Sequence, residues 1–179
     1  MFENIRRFQR FLVESGMARN VLALPAPKTL LIEDHTSKDE TGTAVFSQTV
    51  VEEEIVLVSR DLFASGHYNV AVAEAFKAVD NYVRDKTGLS SFSGSTLMEN
   101  VFSSKKPKLV WSERKSISEK NEQDGYMRLY AGAMLGIRNP TTHEFNWVES
   151  AEVALELLVF AQHLLRKAKC ARPSEGQGI

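Results

Sequence analysis

An arginine, an asparagine and a histidine lie close together in one short segment, Gly136–Glu144, which reads GIRNPTTHE. The guanidinium of Arg138 could hold a phosphate through two parallel hydrogen bonds and stabilise the charge that develops on its oxygens. An imidazole such as that of His143 exchanges a proton near neutral pH, here with a ribose 2′-hydroxyl or a leaving 5′-oxygen. Together the two side chains predict cleavage of RNA without a metal ion.

The same segment also has a structural interpretation. Arg and His fall this close by chance about 0.7 times in a chain of this composition, so the spacing alone is not specific. In this interpretation Asn139-Pro140 is a turn, Arg138 bonds the last carbonyls of the preceding helix, and His143 packs between helices. Both interpretations stay open on these residues alone.

Helical periodicity on both sides of the segment predicts the elements that position it. One helix is predicted over Glu122–Arg138. It should end at or just before Asn139, because Pro140 disfavours helical angles in the residue before it. The next helix is predicted to begin after Asn146, with Glu149 three positions on as in a capping box.

Two earlier helices show the same periodicity. Apolar residues recur at positions 0, 4, 7 and 11 from Val51 and again from Val72. These stripes predict one helix closed by Gly66 and a second over about His67–Thr87, closed by Gly88. So short a turn makes the two helices antiparallel neighbours. Four amphipathic helices predict an all-α fold, an antiparallel four-helix bundle with an N-terminal helical or extended appendage.

The remaining segments have weaker patterns. Ser90–Ser118 is predicted as a long, partly ordered insertion. Residues 1–45 are predicted as the appendage, with a helix over Phe2–Val13 and then a linker or small extended element. One form of that element is a hairpin joining Leu30–Ile32 to Ala44–Val50. Residues 46–171 then form the helical domain, and 172–179 a disordered tail.

Two glycines share one face of the helix that ends at Arg138. An interior glycine costs a helix about 1 kcal/mol relative to alanine, so Gly132 and Gly136 should have a compensating role. The spacing predicts close approach of another helix, either inside the bundle or from a second subunit.

The composition excludes several functional classes. The 179 residues are 43% apolar, with 22 basic and 23 acidic residues, as in a globular domain. The single Cys170 fits a reducing compartment, so a cytoplasmic location is predicted, and no apolar stretch is long enough for a membrane role. Phosphate-binding loops, dinucleotide fingerprints, nucleophile elbows and zinc-ligand spacings are all missing, so no cofactor or metal site is predicted.

Charge is unevenly distributed along the chain. Lys105–Lys120 holds six basic and two acidic residues, whereas Glu33–Glu54 holds one basic and seven acidic residues. Such runs are usually solvated faces. The basic run could also follow an RNA backbone, which would make activity fall as salt rises.

Arg138-Asn139 followed by His143 resembles the Arg-Asn-x-x-x-His signature of the HEPN superfamily. The string Gly136–Glu144, together with AVAEAFKAVDNYVRDKTGL at Ala71–Leu89, is similar to the bacterial branch labelled Ymh or Abi-like. The resemblance covers about residues 50 to 170 and leaves the first 45 outside.

The resemblance implies a HEPN-like bundle and a metal-independent endoribonuclease that leaves a 2′,3′-cyclic phosphate, in a toxin–antitoxin or phage-defence (abortive infection) setting. It further implies RNA as substrate, a homodimer with a composite active site, and an antitoxin or sensor protein as partner. Carried over by position, Arg138 stabilises the phosphorane, His143 is the general acid or base, and Asn139 orients one of them or the phosphate. Glu74 is the candidate for an acidic residue from the second helix, with a solvated helix face as its alternative.

A second functional class stays open. The bundle could be non-catalytic and bind nucleotide or a partner protein, with Arg138 and His143 used for phosphate binding or packing. A structural accessory domain is a third interpretation, with residues 1–45 docking a sensor or antitoxin. Cleavage that His143→Ala abolishes would separate the first class from the others.

Overall fold

The structure is a computed structural model that describes residues 35–174, with side chains described from residue 42 onward. The predicted helix over Phe2–Val13 and the predicted strand at Leu30–Ile32 lie outside the described residues. The chain divides into two units between Lys38 and Asp39. Apart from the first four residues of the first helix, the elements described below belong to the second unit.

Helices make up most of the described chain. In chain order they are α1 His35–Thr49, α2 Glu53–Ala64, α3 Tyr68–Thr87, α4 Gly94–Val101, α5 Ile117–Ala133, α6 Asn139–His143 and α7 Ala151–Cys170. A π-helical turn, Met134–Arg138, joins α5 to α6, and strands β1 Leu109–Val110 and β2 Arg172–Pro173 pair antiparallel. The mostly helical content, with little strand, confirms the all-α prediction. None of the described helices is both long and apolar enough to cross a membrane.

Helix α3 forms the centre of the core and packs against α2 and α7. Its predicted stripe is confirmed, because Val72, Phe76, Val79 and Val83 are all fully buried. The helix ends as predicted at Gly88, whose φ of 67° is the left-handed conformation that closes helices. The stripe predicted from Val51 is wrong at its start. Helix α2 begins at Glu53 and leaves Val51 56% exposed. Of the other predicted positions, Ile55 is buried and Val58 and Leu62 are half-buried, while Ser59 and Phe63 are buried in addition.

The prediction of an extended arm at Ala44–Val50 is wrong, because helix α1 continues through Ala44 to Thr49 and Val50 follows its last residue. Phe46 and Val50, one helical turn apart, are both buried, and the Phe46 ring lies 5.1 Å from that of Phe63. The β-branched residues of this segment favour a strand locally. Burial of two apolar side chains on one helical face overrides that preference.

The segment predicted as a partly ordered insertion is ordered, so that prediction is wrong as well. Helix α4 buries Leu97, Met98 and Val101 completely. Gln123 of α5, itself buried, donates its amide to the carbonyls of Phe102 (3.0 Å) and Leu109 (3.1 Å). The hydrogen bonds from Gln123 join residues that are 14 and 21 positions apart, so the apolar periodicity of the segment could not predict that it is ordered.

The C-terminal residues that were predicted to be disordered begin with the short strand β2. Val110 lies opposite Arg172, and the Ser174 amide donates to the Lys108 carbonyl at 2.9 Å. The prediction is therefore wrong for Arg172 and Pro173, while residues 175–179 lie outside the described part.

Helix α5 begins at Ile117, five residues before the predicted start. The Ser116 hydroxyl accepts the Glu119 amide at 3.2 Å, and the Glu119 carboxylate accepts the Ser116 amide at 2.9 Å. This reciprocal capping box satisfies two free amides at the helix start. Hydrogen bonds from the Ser116 and Lys115 amides also lower the pKa of Glu119.

Helix α7 begins at Ala151, so the predicted start after Asn146 is wrong. Asn146 has a φ of 56°, which is incompatible with a helical start. The cap is Ser150, whose hydroxyl accepts the Val153 amide at 3.3 Å.

Helix α7 is fixed against the junction of α1 and α2 by polar contacts. The buried Gln162 accepts the amides of Val51 (2.6 Å) and Glu52 (2.9 Å) and donates to the Thr49 carbonyl (2.9 Å). Beside it, Glu52 pairs with Arg166 at 2.6 Å and with Lys169 at 2.7 Å, and Glu54 also pairs with Lys169. We call Gln162 and these four charged residues the α7 cluster.

Candidate functional site

The residues predicted to do chemistry lie where α5 passes into α6. Asn139 was predicted to leave helical angles, and this is wrong: its φ and ψ are −66° and −50°, and the chain continues as α6. The Asn139 amide donates to the carbonyl of Met134, five residues back. This wider turn accommodates Pro140, whose ring would clash with the carbonyl four residues before it in a regular α-helix. A π-helical turn of this kind is frequent at functional sites.

Arg138 and Glu74 line the same cavity. This cavity has a volume of about 260 Å³, and its lining is Val70, Ala73, Glu74, Lys77, Arg138, Thr141 and Thr142. We call it the Arg138 cavity. Lys77 donates to the Glu74 carboxylate at 3.2 Å, so the acidic residue carries its own counter-ion. Glu74, which the resemblance suggested as the acidic residue, therefore lies in the same cavity as Arg138.

The Arg138 guanidinium makes no hydrogen bond or ion pair to another described residue. The guanidinium lies beside Gly94 of α4, where a built Cβ would be 3.8 Å from Nη1 of Arg138. The carbonyl of Arg138 is used differently, since it accepts the hydroxyls of Thr141 (3.0 Å) and Thr142 (2.7 Å). The threonines therefore fix the backbone of the turn, while the cation of Arg138 stays available.

His143 does not join this cavity. It is the last residue of α6, is exposed, and is absent from the lining of the Arg138 cavity. Five residues along a helical path turn the chain by about 140° relative to Arg138. Asn139, half-buried, does not line the cavity either. Within one subunit the structure therefore brings Arg138 and Glu74 together and leaves His143 and Asn139 outside.

Asn69, which sequence analysis did not single out, holds the loop after His143. Its amide donates to the Glu144 carbonyl at 2.8 Å, and its oxygen accepts the Val148 amide at 2.6 Å. The loop carries Phe145, which is 98% exposed, and borders a second cavity of about 330 Å³. No spacing rule marks Asn69, because both its partners lie at least 75 residues away.

Asp80 was also missed, and it fixes the backbone beside Arg138. The buried carboxylate accepts the Gly94 amide at 2.6 Å and the Arg84 guanidinium at 3.1 Å. Gly94 has a φ of 60°, which suits glycine. The only sequence signal for this contact is an acidic residue on the otherwise apolar face of α3.

The exposed face of α5 and the π-turn carries Gly125, Leu129, Gly132, Leu135 and Gly136. Apart from the adjoining residues and the backbone of the same helix, no described atom lies within 4 Å of a Cβ built on Gly132 or Gly136. The predicted close approach of another helix inside the bundle is therefore not found among the described residues. The alternative, approach of a second subunit, stays a prediction.

The aromatic side chains of Trp111 and Tyr126 pack against neighbouring side chains of the fold. The Trp111 ring stacks on Phe102 at 4.9 Å, and its indole N–H donates to the Lys167 carbonyl at 2.7 Å. The Tyr126 hydroxyl lies 2.9 Å from Nε2 of His163. Packing within the fold therefore occupies both rings.

Comparisons with known proteins give one match. No curated protein and no solved structure matches the chain. A family model described as "Protein of unknown function (Hypoth_ymh)" matches residues 49–168, a range that contains α2 through most of α7 and the Arg138 cavity. This range agrees with the extent of the Ymh resemblance. The chain belongs to the Hypoth_Ymh family.

Proposed function

We propose that the protein is a metal-independent endoribonuclease of HEPN type, built on a HEPN-like four-helix bundle. The observation that carries the proposal is the Arg138 guanidinium, which faces a cavity without a partner among the described residues, five positions before an exposed histidine. Buried or half-buried cations normally have partners, so an unpaired one at a cavity suits an anionic ligand. RNA presents such an anion at every phosphate.

The side chains of this protein can supply every group that the proposed RNA cleavage requires. A ribose 2′-oxygen attacks the adjacent phosphorus while its proton passes to a base, and the bond from phosphorus to the 5′-oxygen breaks as that oxygen gains a proton. The product ends in a 2′,3′-cyclic phosphate. Arg138 stabilises the charge on the phosphorane oxygens, His143 transfers a proton, and Asn139 orients the phosphate or one of these side chains.

A homodimer would bring the two reactive groups together. Because His143 lies outside the cavity of its own subunit, we propose that it acts with Arg138 of a second copy. The exposed face of α5 offers a surface for this contact, since Leu129 and Leu135 are exposed and the glycines beside them permit close approach. The basic run at Lys105–Lys120 would then contact the RNA backbone.

The biological setting is part of the same proposal. The protein would act in the cytoplasm as a toxin or an abortive-infection effector, held inactive by an antitoxin or a sensor protein. Residues 1–45 are the proposed docking segment for that partner. This part of the proposal rests on the resemblance to the HEPN superfamily.

Cleavage of a 5′-labelled mixed-sequence RNA in excess EDTA tests the activity. His143→Ala should lower the rate by about 10²- to 10⁴-fold, and Arg138→Ala by about 10²- to 10³-fold. The matched controls are His163→Ala and Arg60→Ala, which remove exposed residues outside the cavity and should stay within about twofold of the wild type. Equal cleavage by all five proteins, or no cleavage by the wild type, would exclude the enzyme.

A second candidate function has its own observation. One subunit alone combines Arg138, Lys77 and the Thr142 hydroxyl around the cavity, with no imidazole in its lining. Such a set can bind a phosphate without turning it over. Saturable nucleotide binding that Arg138→Ala abolishes, in a protein that does not cleave RNA, would favour this binding bundle.

A further inference from the structure

A third cavity, separate from the candidate site, lies where the β1–α5 connection meets strand β2. Its volume is about 430 Å³, larger than the Arg138 cavity and within the range of ligand pockets. Ser112, Arg114 and Lys115 line it from the connection, and Arg172 and Ser174 from the C-terminal strand. No residue lines both this cavity and the Arg138 cavity.

The charge of this lining is positive. It holds three cations and one carboxylate, that of Glu113, which pairs with Lys115. The difference, three minus one, is two positive charges on a concave surface. Such a surface concentrates its field and attracts anions.

Arg114 has features typical of a ligand-binding residue. Its φ of 57° is a left-handed conformation that is uncommon for a residue with a long side chain. Conformations of this kind concentrate at ligand-binding positions. The Arg114 guanidinium donates through Nη2 to the Ser104 carbonyl, while its Nε is buried and has no hydrogen-bond partner in the described part of the chain. A ligand oxygen would supply the missing acceptor.

The β-ribbon brings the C-terminal residues to the same place. The pairing of Val110 with Arg172 and the hydrogen bond from Ser174 to Lys108 fix β2 beside the connection. Arginine and serine side chains therefore meet from two segments about 60 residues apart. Arginine forks and hydroxyls are the donors that recognise phosphate oxygens.

We propose that this cavity binds a phosphate group, of the kind that nucleotides and the RNA backbone present. Arg114 and Arg172 donate to the phosphate oxygens, Lys115 contributes charge, and the hydroxyls of Ser112 and Ser174 complete the set. The proposed site contains neither Arg138 nor His143, so phosphate binding there can be tested independently of RNA cleavage.

Calorimetric titration at low salt tests the site, with pyrophosphate, ADP and a single-stranded 2′-O-methyl RNA 12-mer, which has no 2′-hydroxyl to attack the phosphate, as separate probes. Arg114→Gly removes the guanidinium and supplies a residue suited to the left-handed backbone. Arg172→Ala is a second variant, because it removes a cation from an exposed strand. Each should weaken binding about tenfold or more. The matched control, Arg60→Ala, removes an exposed cation that also pairs with a neighbouring carboxylate, and should change binding less than about twofold.

The three probes identify the source of the phosphate. Tighter binding of ADP than of pyrophosphate indicates a nucleotide, and tighter binding of the RNA indicates the backbone. Thermal unfolding of each variant checks that it is folded. The proposal is overturned if the wild type binds none of the three probes saturably, if the folded cavity variants bind as tightly as the wild type, or if Arg60→Ala weakens binding as much as the cavity variants.

Discussion

The α7 cluster and the Arg138 cavity differ in whether their polar groups have partners. In the α7 cluster every charge is paired, and Gln162 satisfies three backbone groups at once. In the Arg138 cavity Glu74 has its partner in Lys77, but the guanidinium of Arg138 has none among the described residues. The first arrangement stabilises the fold. The second leaves a cation available for a ligand.

Loss of Gln162 should produce the largest change in stability. Gln162→Leu keeps the size of the side chain but leaves the amides of Val51 and Glu52 and the carbonyl of Thr49 without partners. An unsatisfied buried group costs about 1–3 kcal/mol, and because these three groups are partly buried the free energy of unfolding should fall by about 2–3 kcal/mol in total. Urea unfolding of the wild type and of Gln162→Leu measures this difference in the free energy of unfolding.

The control is Gln48→Leu, on the exposed side of α1. It removes an amide that has no such partners and should change stability by less than about 0.5 kcal/mol. Similar losses in both variants would show that Gln162 does not join α7 to the α1–α2 junction.

The comparison between paired and unpaired cations can be tested directly. Lys169→Ala should lower the free energy of unfolding by about 1 kcal/mol, because it removes the partner of Glu52 and Glu54 on a partly exposed surface. Arg138→Ala should change stability by no more than about 0.5 kcal/mol. Urea midpoints of the two variants give the difference. A larger loss for Arg138→Ala would mean that its cation serves the fold.

The pH dependence of stability should show the smallest effect. Arg166 and then Lys169 lower the pKa of Glu52 by hydrogen bonding, and Lys169 does the same for Glu54. Folding therefore favours the charged carboxylates. Their contribution is complete above the unfolded pKa of about 4.3 and is lost as the pH falls through the lower folded values.

Urea unfolding between pH 7 and pH 3 measures this contribution, in wild type and in Glu52→Gln. The wild type should lose up to about 1 kcal/mol more than the variant as the pH falls below about 5, since the pairs are partly solvated. Parallel pH profiles for the two proteins would show that the Glu52 ion pairs add nothing to stability.

Local patterns predicted some elements well. Helix α3 has an uninterrupted stripe from Val72 to Val83 and a closing Gly88, so periodicity and capping agree. The prediction for α1 was wrong, because its β-branched residues favour a strand. The burial of Phe46 and Val50 stabilises the helix instead. Helix α4 and the β-ribbon depend on Gln123 and on pairing with distant residues. No window of neighbouring residues contains that information.

The candidate site shows the same division. Its place in the chain, between two helices at Gly136–Glu144, followed from residue types and from Pro140. The π-helical turn did not, because the rule for the residue before proline assumes that the alternative is a regular α-helix. Asn69 and Asp80 support the site through contacts with the loop after His143 and with Gly94. Both are ordinary polar residues until the chain is folded.

Subunit mixing tests the central claim most directly. Arg138→Ala and His143→Ala, each inactive alone, are combined in equal amounts, allowed to exchange subunits, and assayed for RNA cleavage in EDTA. A site built from Arg138 of one copy and His143 of the other is restored once in each mixed dimer. Half the dimers are mixed, so activity should return to about a quarter of the wild-type value. Activity no higher than the sum of the two variants, with exchange verified, would contradict the composite site.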